Sequence, residues 1–363
     1  MKDNYRDLRV AVLGGGTVGA EVAHRLLEGA AELGSRSGAG LSLIGVAVRN
    51  LDAVRTPAIP KELLTTDAHS LIVQADIVVE LMGGLEPART LILEALGSGA
   101  DVVTANKALL AEHGPELFDA AARVGAQLYY EAAVAAAIPI IRPLRDSLAG
   151  DTVTKIMGIV NGTTNFILDR MDTEGLSFES ALAEATELGY AEADPTADIE
   201  GFDAAQKACI LSSLAFHTAV PLGDVYRDGI TAVDAGQMEA AKKSGHVIKL
   251  LAICERRTDE ETGEEGVSTR VHPTLIPRTH PLAAAHGANN AVYVEAEAAG
   301  PLMFYGAGAG GPETASAVLG DVVSAARRHV AGGPGVASPP RADLPMVDPG
   351  MVPTRYQIAL EVR

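Results

Sequence analysis

Leu8-Arg9-Val10-Ala11-Val12-Leu13-Gly14-Gly15-Gly16-Thr17-Val18-Gly19-Ala20 decides the fold. Residues 8–13 read as a short buried strand and residues 20–28 as an amphipathic helix. Between them stands G-x-G-x-x-G, with Gly14, Gly16 and Gly19 at the glycine positions and Thr17 and Val18 inside. The glycines permit a tight turn, close approach of a pyrophosphate and close packing of helix on strand. The helix N-terminus adds free N–H groups and a positive dipole end for the phosphates. A plain glycine-rich turn has the same letters. The strand before it and the helix after it make this one a dinucleotide-binding turn.

Working outward, a second strand covers residues 41–48 and ends in Val48-Arg49-Asn50. A site for NAD usually carries an acid there for the ribose hydroxyls. Here Arg49 offers a guanidinium instead, which favours a 2′-phosphate and hence NADP, with NAD still open. The insertion at residues 31–40 lengthens the usual spacing. Further strands are expected at 77–81, 101–104 and 127–131, with helices at 86–97 and 114–124. Such β/α alternation predicts a Rossmann-type parallel sheet covered on both faces. Ligands on these sheets collect beyond the carboxyl ends of the strands. Met82-Gly83-Gly84 and Thr104-Ala105-Asn106-Lys107 fall at two such ends, so Gly83, Thr104 and Lys107 join the cofactor candidates. Lys107 is placed where a nicotinamide ring and a substrate would meet.

The chain has 363 residues, enough for two or three domains, and 47% of them are hydrophobic. Its formal charge of -18 argues against nucleic acid or an anionic membrane as main partners. Any nucleotide site must therefore be locally organised. Cys209 and Cys254, the only cysteines, sit in apolar contexts and read as reduced, buried residues. The charged N-terminus leads straight into a strand and resembles no signal peptide. No apolar run reaches the ~18 residues of a membrane span. A cytoplasmic protein is expected.

From Asp151 the texture changes to α+β. A strand at 152–160 is followed by Asn161-Gly162-Thr163-Thr164-Asn165, a polar turn able to present N–H groups and hydroxyls to a carboxylate. Helices are expected at 166–174, 177–188, 203–216 and 235–245, and strands near 249–255, 268–273 and 291–298. Together they predict a mainly antiparallel sheet with helices on one face. Residues 306–311 form a second glycine-rich loop, with Gly308 and Gly310, opening a helix at 314–329. This loop could return to the cofactor, or be only a linker. Residues 189–207 concentrate five carboxylates before Lys207, and Asp203 lies one helical turn from that lysine. Such a cluster could hold a cationic substrate and place an ammonium beside the reacting carbon. Alone, it would pass for a solvated acidic loop and a weak surface pair.

Taken together, these blocks closely resemble homoserine dehydrogenases, from residue 8 to about 333. The most specific is Gly189-Tyr190-Ala191-Glu192 with Asp194-Pro195, Asp198-Ile199-Glu200-Gly201-Phe202-Asp203 and Lys207. Thr104-Ala105-Asn106-Lys107, Gly158-Ile159-Val160-Asn161-Gly162-Thr163-Thr164 and residues 306–311 also match. The wording is most similar to actinobacterial members. The resemblance implies NAD(P)-dependent interconversion of L-homoserine and L-aspartate 4-semialdehyde, on the route to threonine, methionine and isoleucine. It implies that Glu192 binds the substrate ammonium, while Asp198 and Asp203 hold substrate and lysine. Tyr190, Gly162 and Thr163 join the substrate site. Lys207 and Lys107 approach the reacting oxygen, and Lys207 is favoured for the proton. A homodimer is also implied.

Glu131-Ala132-Ala133-Val134-Ala135-Ala136-Ala137-Ile138 resembles the family's monovalent-cation site. By position, the Glu131 side chain and the carbonyls of Val134, Ala136 and Ile138 would ligate sodium, bracing a domain junction. The expected division is a cofactor domain at 1–145 completed by 306–331, a substrate-binding and dimerisation domain at 146–305, and a tail at 332–363. In the tail, residues 354–363 look like the opening strand of an ACT domain, either cut or absent. No threonine feedback by that route is expected. Two competing readings are a dehydrogenase for another amino-acid semialdehyde and a non-catalytic NADP sensor. A sensor has no need of Lys107, Asp203 and Lys207 together.

Overall fold

The computed structural model describes residues 5–258, 262–332, 342–353 and 355. Two six-stranded sheets organise it. The first contains β1 (Tyr5–Leu13), β2 (Ala39–Ala47), β3 (Leu64–Thr65), β4 (Ile77–Glu80), β5 (Asp101–Thr104) and β6 (Leu128–Tyr129). All its pairings are parallel, in the order β3-β2-β1-β4-β5-β6. This is the doubly wound dinucleotide-binding order, whose switch point lies between β1 and β4. Every residue of β4 and β5 is buried, so the adjacent valines at their centres, Val78-Val79 and Val102-Val103, are covered on both faces of the sheet.

The second sheet contains β7 (Val153–Ile159), β8 (Tyr226–Arg227), β9 (His246–Thr258), β10 (Glu265–Pro277), β11 (Asn289–Ala296) and β12 (Gly300–Ala307). Its order is β12-β11-β7-β9-β10-β8, antiparallel except for the short β8–β10 pair. The helices Gly162–Glu174, Phe202–Ala215 and Ala235–Lys243 pack against β9. Side chains alternate across β7: Ile156 joins the large core, while Met157 and Ile159 face a smaller cluster with Leu251 and Tyr293. The large apolar core is continuous between the sheets, from Val78 and Val102 through Ile138 and Leu144 to Ile156 and Val292.

Four local departures from the sequence expectation have physical causes. Residues 31–40, an insertion to which the sequence assigned no element, are largely helical. Their helix, Ala30–Ser37, is stopped by Gly38 in the left-handed conformation. The helix expected at 114–124 begins at Lys107, because the Asn106 side chain caps it by accepting the Leu109 N–H. That helix runs through Pro115, which cannot donate to the Ala111 carbonyl. That carbonyl lies 3.8 Å from the Cys209 thiol. Asn161-Gly162-Thr163-Thr164-Asn165 is not a turn but the cap and first turn of Gly162–Glu174. Finally, β12 was not anticipated and carries residues 306–307 of the second glycine loop.

The helix Gly311–Ala331 returns to the first sheet, where Ala315, Val318 and Val322 share a core with β1. After the tail's first residues, Val267 in β10 pairs with Met346. Residues 333–341 lie outside the described residues, and so does the ACT-like strand apart from Arg355. Among the described residues, no helix is long and apolar enough to cross a membrane.

Candidate active site

The glycine turn joins β1 to the helix Thr17–Glu28. Gly14 has φ +106°, and a Cβ at Gly19 would lie 1.9 Å from the Gly14 carbonyl oxygen. A side chain at either position would break the turn. Among the described residues no side chain caps the N-terminus of Thr17–Glu28, and apart from its chain neighbours nothing lies within 4 Å of the space a Cβ on Gly16 would fill. Free helix N–H groups facing open space fit a dinucleotide pyrophosphate. Arg49 is exposed. The sequence reading missed Arg55, whose Nε donates to the Gly15 carbonyl at 3.2 Å and whose guanidinium also reaches Ala53 O. A basic group is therefore fastened to the edge of the turn.

A second missed residue is Glu80, the fully buried end of β4. Its Oε1 accepts the N–H groups of Met82 (2.7 Å) and Gly83 (3.2 Å), and its Oε2 accepts the Thr104 hydroxyl at 2.6 Å. Thr104 in turn accepts the Asn106 N–H, and Asn106 Nδ2 donates to Gly84 O. One carboxylate thus ties the loops after β4 and β5 together and fixes the helix start that bears Lys107. Nothing in the local sequence marks Glu80, because its partners follow from strand adjacency.

Lys107 and Lys207 converge on Asp203. Lys207 Nζ donates to Asp203 Oδ2 at 2.7 Å and to the Val160 carbonyl at 2.7 Å. Lys107 Nζ lies 3.3 Å from Asp203 Oδ1. Asn161 Nδ2 donates to Asp203 Oδ2 (2.9 Å) and Asp198 Oδ1 (2.7 Å), while its Oδ1 caps the helix through Thr164 N. Burial pushes the Asp203 carboxyl up, but the two lysine charges and the Lys207 and Asn161 hydrogen bonds outweigh it and hold it at about 2. Burial and the neighbouring Asp203 charge raise Asp198 above the ordinary carboxylate range, against the Asn161 hydrogen bond.

Around this centre, Thr163 donates to the Tyr190 carbonyl at 2.7 Å, and the Tyr190 ring packs 5.0 Å from Phe166. Gly162 is pressed against Ala288, whose carbonyl would lie 2.6 Å from a Cβ there. Glu192 is exposed on the loop before Thr196–Ile199. The structure thus brings Lys107, Lys207, Asp203, Asp198 and Thr163 into one network, with Tyr190 joined through its carbonyl. Gly308 and Gly310 stand apart from this network, in the loop before Gly311, whose Cβ position is 3.0 Å from Thr17 Cγ2 in the first glycine turn. A groove of about 1900 Å³ lies along another face of the helix Phe202–Ala215, lined by Phe118, Phe202, Ile210 and Tyr226 among others. Neither lysine nor Asp203 lines it.

At the proposed cation segment, Glu131 is fully engaged. Its Oε1 accepts Ile140 N (2.6 Å) and Ile141 N (2.7 Å), and its Oε2 accepts Arg142 N (3.0 Å) and Nε (2.8 Å). Its own N–H donates to Asp321 at 2.8 Å. Burial pushes the Asp321 carboxyl up to about 7, despite that hydrogen bond and the Arg142 charge. Val134, Ala136 and Ile138 are buried, and none of their carbonyls takes part in the turn and loop hydrogen bonds among the described residues. Ala136 adopts φ 46°, ψ −106°, a strained conformation for a residue with a Cβ. Backbone carbonyls grouped beside a carboxylate are the kind of ligand a hard monovalent cation would take. The Glu131 carboxylate, with four N–H partners, would have to share its lone pairs.

Comparison with known proteins agrees with this geometry. Residues 14–131 match the model of the homoserine dehydrogenase NAD-binding domain, and residues 139–323 match the homoserine dehydrogenase model. The chain is 56% identical to a homoserine dehydrogenase of Corynebacterium glutamicum, over 97% of this chain and 79% of that protein. The crystal structure of a homoserine dehydrogenase from Thiobacillus denitrificans superposes with a TM-score of 0.89 at 44% identity, covering 95% of this chain and 80% of that one. A hyperthermophilic archaeal homoserine dehydrogenase in complex with NADPH superposes with a TM-score of 0.74 at 28% identity, covering 90% and 99%. With a parallel-sheet dinucleotide turn at one end and two lysines on a buried aspartate at the other, the chain belongs to the homoserine dehydrogenase family.

Proposed function

We propose that this chain interconverts L-homoserine and L-aspartate 4-semialdehyde with a nicotinamide cofactor, in the pathway to threonine, methionine and isoleucine. The observation that carries the proposal is the convergence of Lys107 and Lys207 on Asp203 beside the cofactor sheet. A bound nicotinamide supplies the hydride acceptor or donor at C4. The residues of the chain do the rest. Lys207 exchanges the proton of the substrate's terminal oxygen, and Lys107 orients and polarises that oxygen. Asp203 stays ionised and keeps both ammonium groups in place. Glu192 and Asp198 hold the substrate ammonium, while Tyr190, Gly162 and Thr163 shape the pocket.

The cofactor preference proposed is NADP, on the exposed Arg49 at the end of β2. Gly14, Gly16, Thr17, Val18 and Gly19 would hold the pyrophosphate, and Gly83, Thr104, Gly308 and Gly310 would border the rest. The carbonyls of Val134, Ala136 and Ile138, with Glu131, would hold sodium as a brace. The proposed domains are 1–145 with 306–331, and 146–305. A homodimer is proposed on the half-exposed Phe202 and Tyr226 beside the large groove.

The test is the initial rate of NADP+ or NAD+ reduction with L-homoserine at alkaline pH. Turnover that requires homoserine establishes the reaction. Folded protein that binds the cofactor yet turns over no homoserine with either would overturn it.

A further inference from the structure

Asparagines near the site are well used. Asn106 and Asn161 are bonded through both ends of their carboxamides. Asn165 Nδ2 donates to the carbonyls of Ala285, Gly287 and Asn289, and its Oδ1 accepts from the buried Lys249 at 2.9 Å. Asn289 Nδ2 donates to His286 O at 3.1 Å. Asn290 is the exception. It is fully buried, and among the described residues neither its Nδ2 nor its Oδ1 has a partner. An unsatisfied buried polar group is destabilising, and an apolar side chain of the same shape would avoid that cost.

The surroundings limit where a partner can come from. Asn290 lies in β11, paired on one side with β12 through Gly306. The next residue, Ala291, pairs with Ile159 of β7 on the other side. The segment before it is pinned by Asn165 and by Asp169, which accepts the Gly287 N–H at 2.8 Å. Asn290 therefore cannot move far. Its carboxamide lies flat on Gly308: a Cβ there would be 2.1 Å from Asn290 Nδ2 and 2.4 Å from Oδ1. Gly308 belongs to the loop that ends beside Thr17 of the dinucleotide turn. The loop contains Gly308 and Gly310, the latter at φ +132°, so it is the element free to change.

We infer that Asn290 is a positioning residue for the loop at residues 306–311, its carboxamide hydrogen-bonding the loop's peptide groups when the dinucleotide is seated. The inference rests on the reading of the glycine turn as the cofactor site. Docking of the cofactor against residues 308–310 shifts these peptides over Asn290, which then satisfies its N–H and C=O. The energy of those bonds is realised only in the bound state, so it appears as cofactor affinity. The Asn290 carboxamide faces Gly308 and makes no hydrogen bond to Asp203 or either lysine, so homoserine binding is expected to hold.

The experiment compares wild type with Asn290→Leu, a change of similar volume, in the full chain. NADPH affinity is measured by isothermal titration, stability without cofactor by melting temperature, and KM for homoserine and cofactor by initial rates. The expected result is NADPH binding weakened about 10-fold, the worth of one or two hydrogen bonds. Melting temperature without cofactor should be unchanged or higher, and KM for homoserine unchanged. NADPH affinity equal to wild type would overturn the inference and leave Asn290 as packing. If the variant does not fold, hydrogen exchange of residues 306–311 in the wild type decides. Protection on adding NADPH supports the inference, and no change overturns it. Wild-type protein that binds neither NADPH nor NADH would fail at an earlier point, removing the cofactor reading and the inference with it.

Discussion

Lys207 and Lys107 reach the same carboxylate from two regions of the molecule, and they are held in different ways. Lys207 rises from the helix Phe202–Ala215, one turn after Asp203, with a second acceptor in Val160 O and only 11% of its side chain exposed. Lys107 opens a helix at the end of β5, is 39% exposed, and meets Asp203 at a longer 3.3 Å. The first pair is local and fixed by helical periodicity. The second exists only because the two sheets pack together. A lysine with two short hydrogen bonds is oriented for proton transfer, whereas a looser, more exposed one can follow the substrate oxygen as its charge changes.

The comparison breaks most visibly at Lys207. Lys207→Ala should lower kcat for homoserine oxidation by about 10³, the range of a lost general acid–base group. Cofactor affinity, read by titration, should hold. Lys107→Ala should lower kcat by about 10², the scale of one lost electrostatic donor. A larger loss there than at Lys207 would exchange the two roles.

Asp203→Asn strikes both lysines at once. Breaking a charge network this buried should cost about 2 kcal/mol of stability, less than the 3–5 of a fully enclosed pair because Lys107 is open to water. Asp203 is held at about 2, below its ordinary 3.8. Its contribution is therefore fully present above about pH 4 and is lost as pH falls toward 2. The melting-temperature gap between wild type and Asp203→Asn should be flat from pH 5 to 8 and close below pH 4. A gap that widens on acidification would contradict the charge assignment.

The smallest effect sharpens the same contrast on the cofactor side, where Arg55 is tied to Gly15 O and Arg49 is exposed. Arg49→Ala should reduce the NADP-to-NAD ratio of kcat/KM by about 10-fold, as one lost charge-assisted contact would. Arg55→Ala should weaken both cofactors alike. Equal weakening by Arg49→Ala would remove that residue from the discrimination.

Much of this was legible in the sequence wherever the determinant is local. The strand–glycine–helix run pointed to the first sheet, and the four-residue step from Asp203 to Lys207 pointed to half of the candidate site. Legibility failed where a partner lies far along the chain. Asn161 was only part of a polar turn until Asp198 and Asp203 came to its amide. Glu80 gave no signal because its acceptor role depends on β5 lying beside β4. A helix was expected only from residue 114, yet the Asn106 cap starts it two turns earlier and the fold tolerates Pro115 within it. β12 escaped because its residues 300–307 include two glycines and a proline, apart from any strong alternating pattern.

The 3.3 Å contact between Lys107 and Asp203 has a consequence for how such a protein fails. Its two ends are carried by separate sheets, so the centre is an assembly rather than a possession of either half. A misplacement of about 1 Å can cost 10²-fold in rate. A distant substitution that lets the halves slip could silence the chain with every site residue intact and each ligand still bound. Inherited or engineered loss of activity should therefore be sought along the seam, at residues such as Ile138, Ile140 and Leu144, as readily as at the lysines.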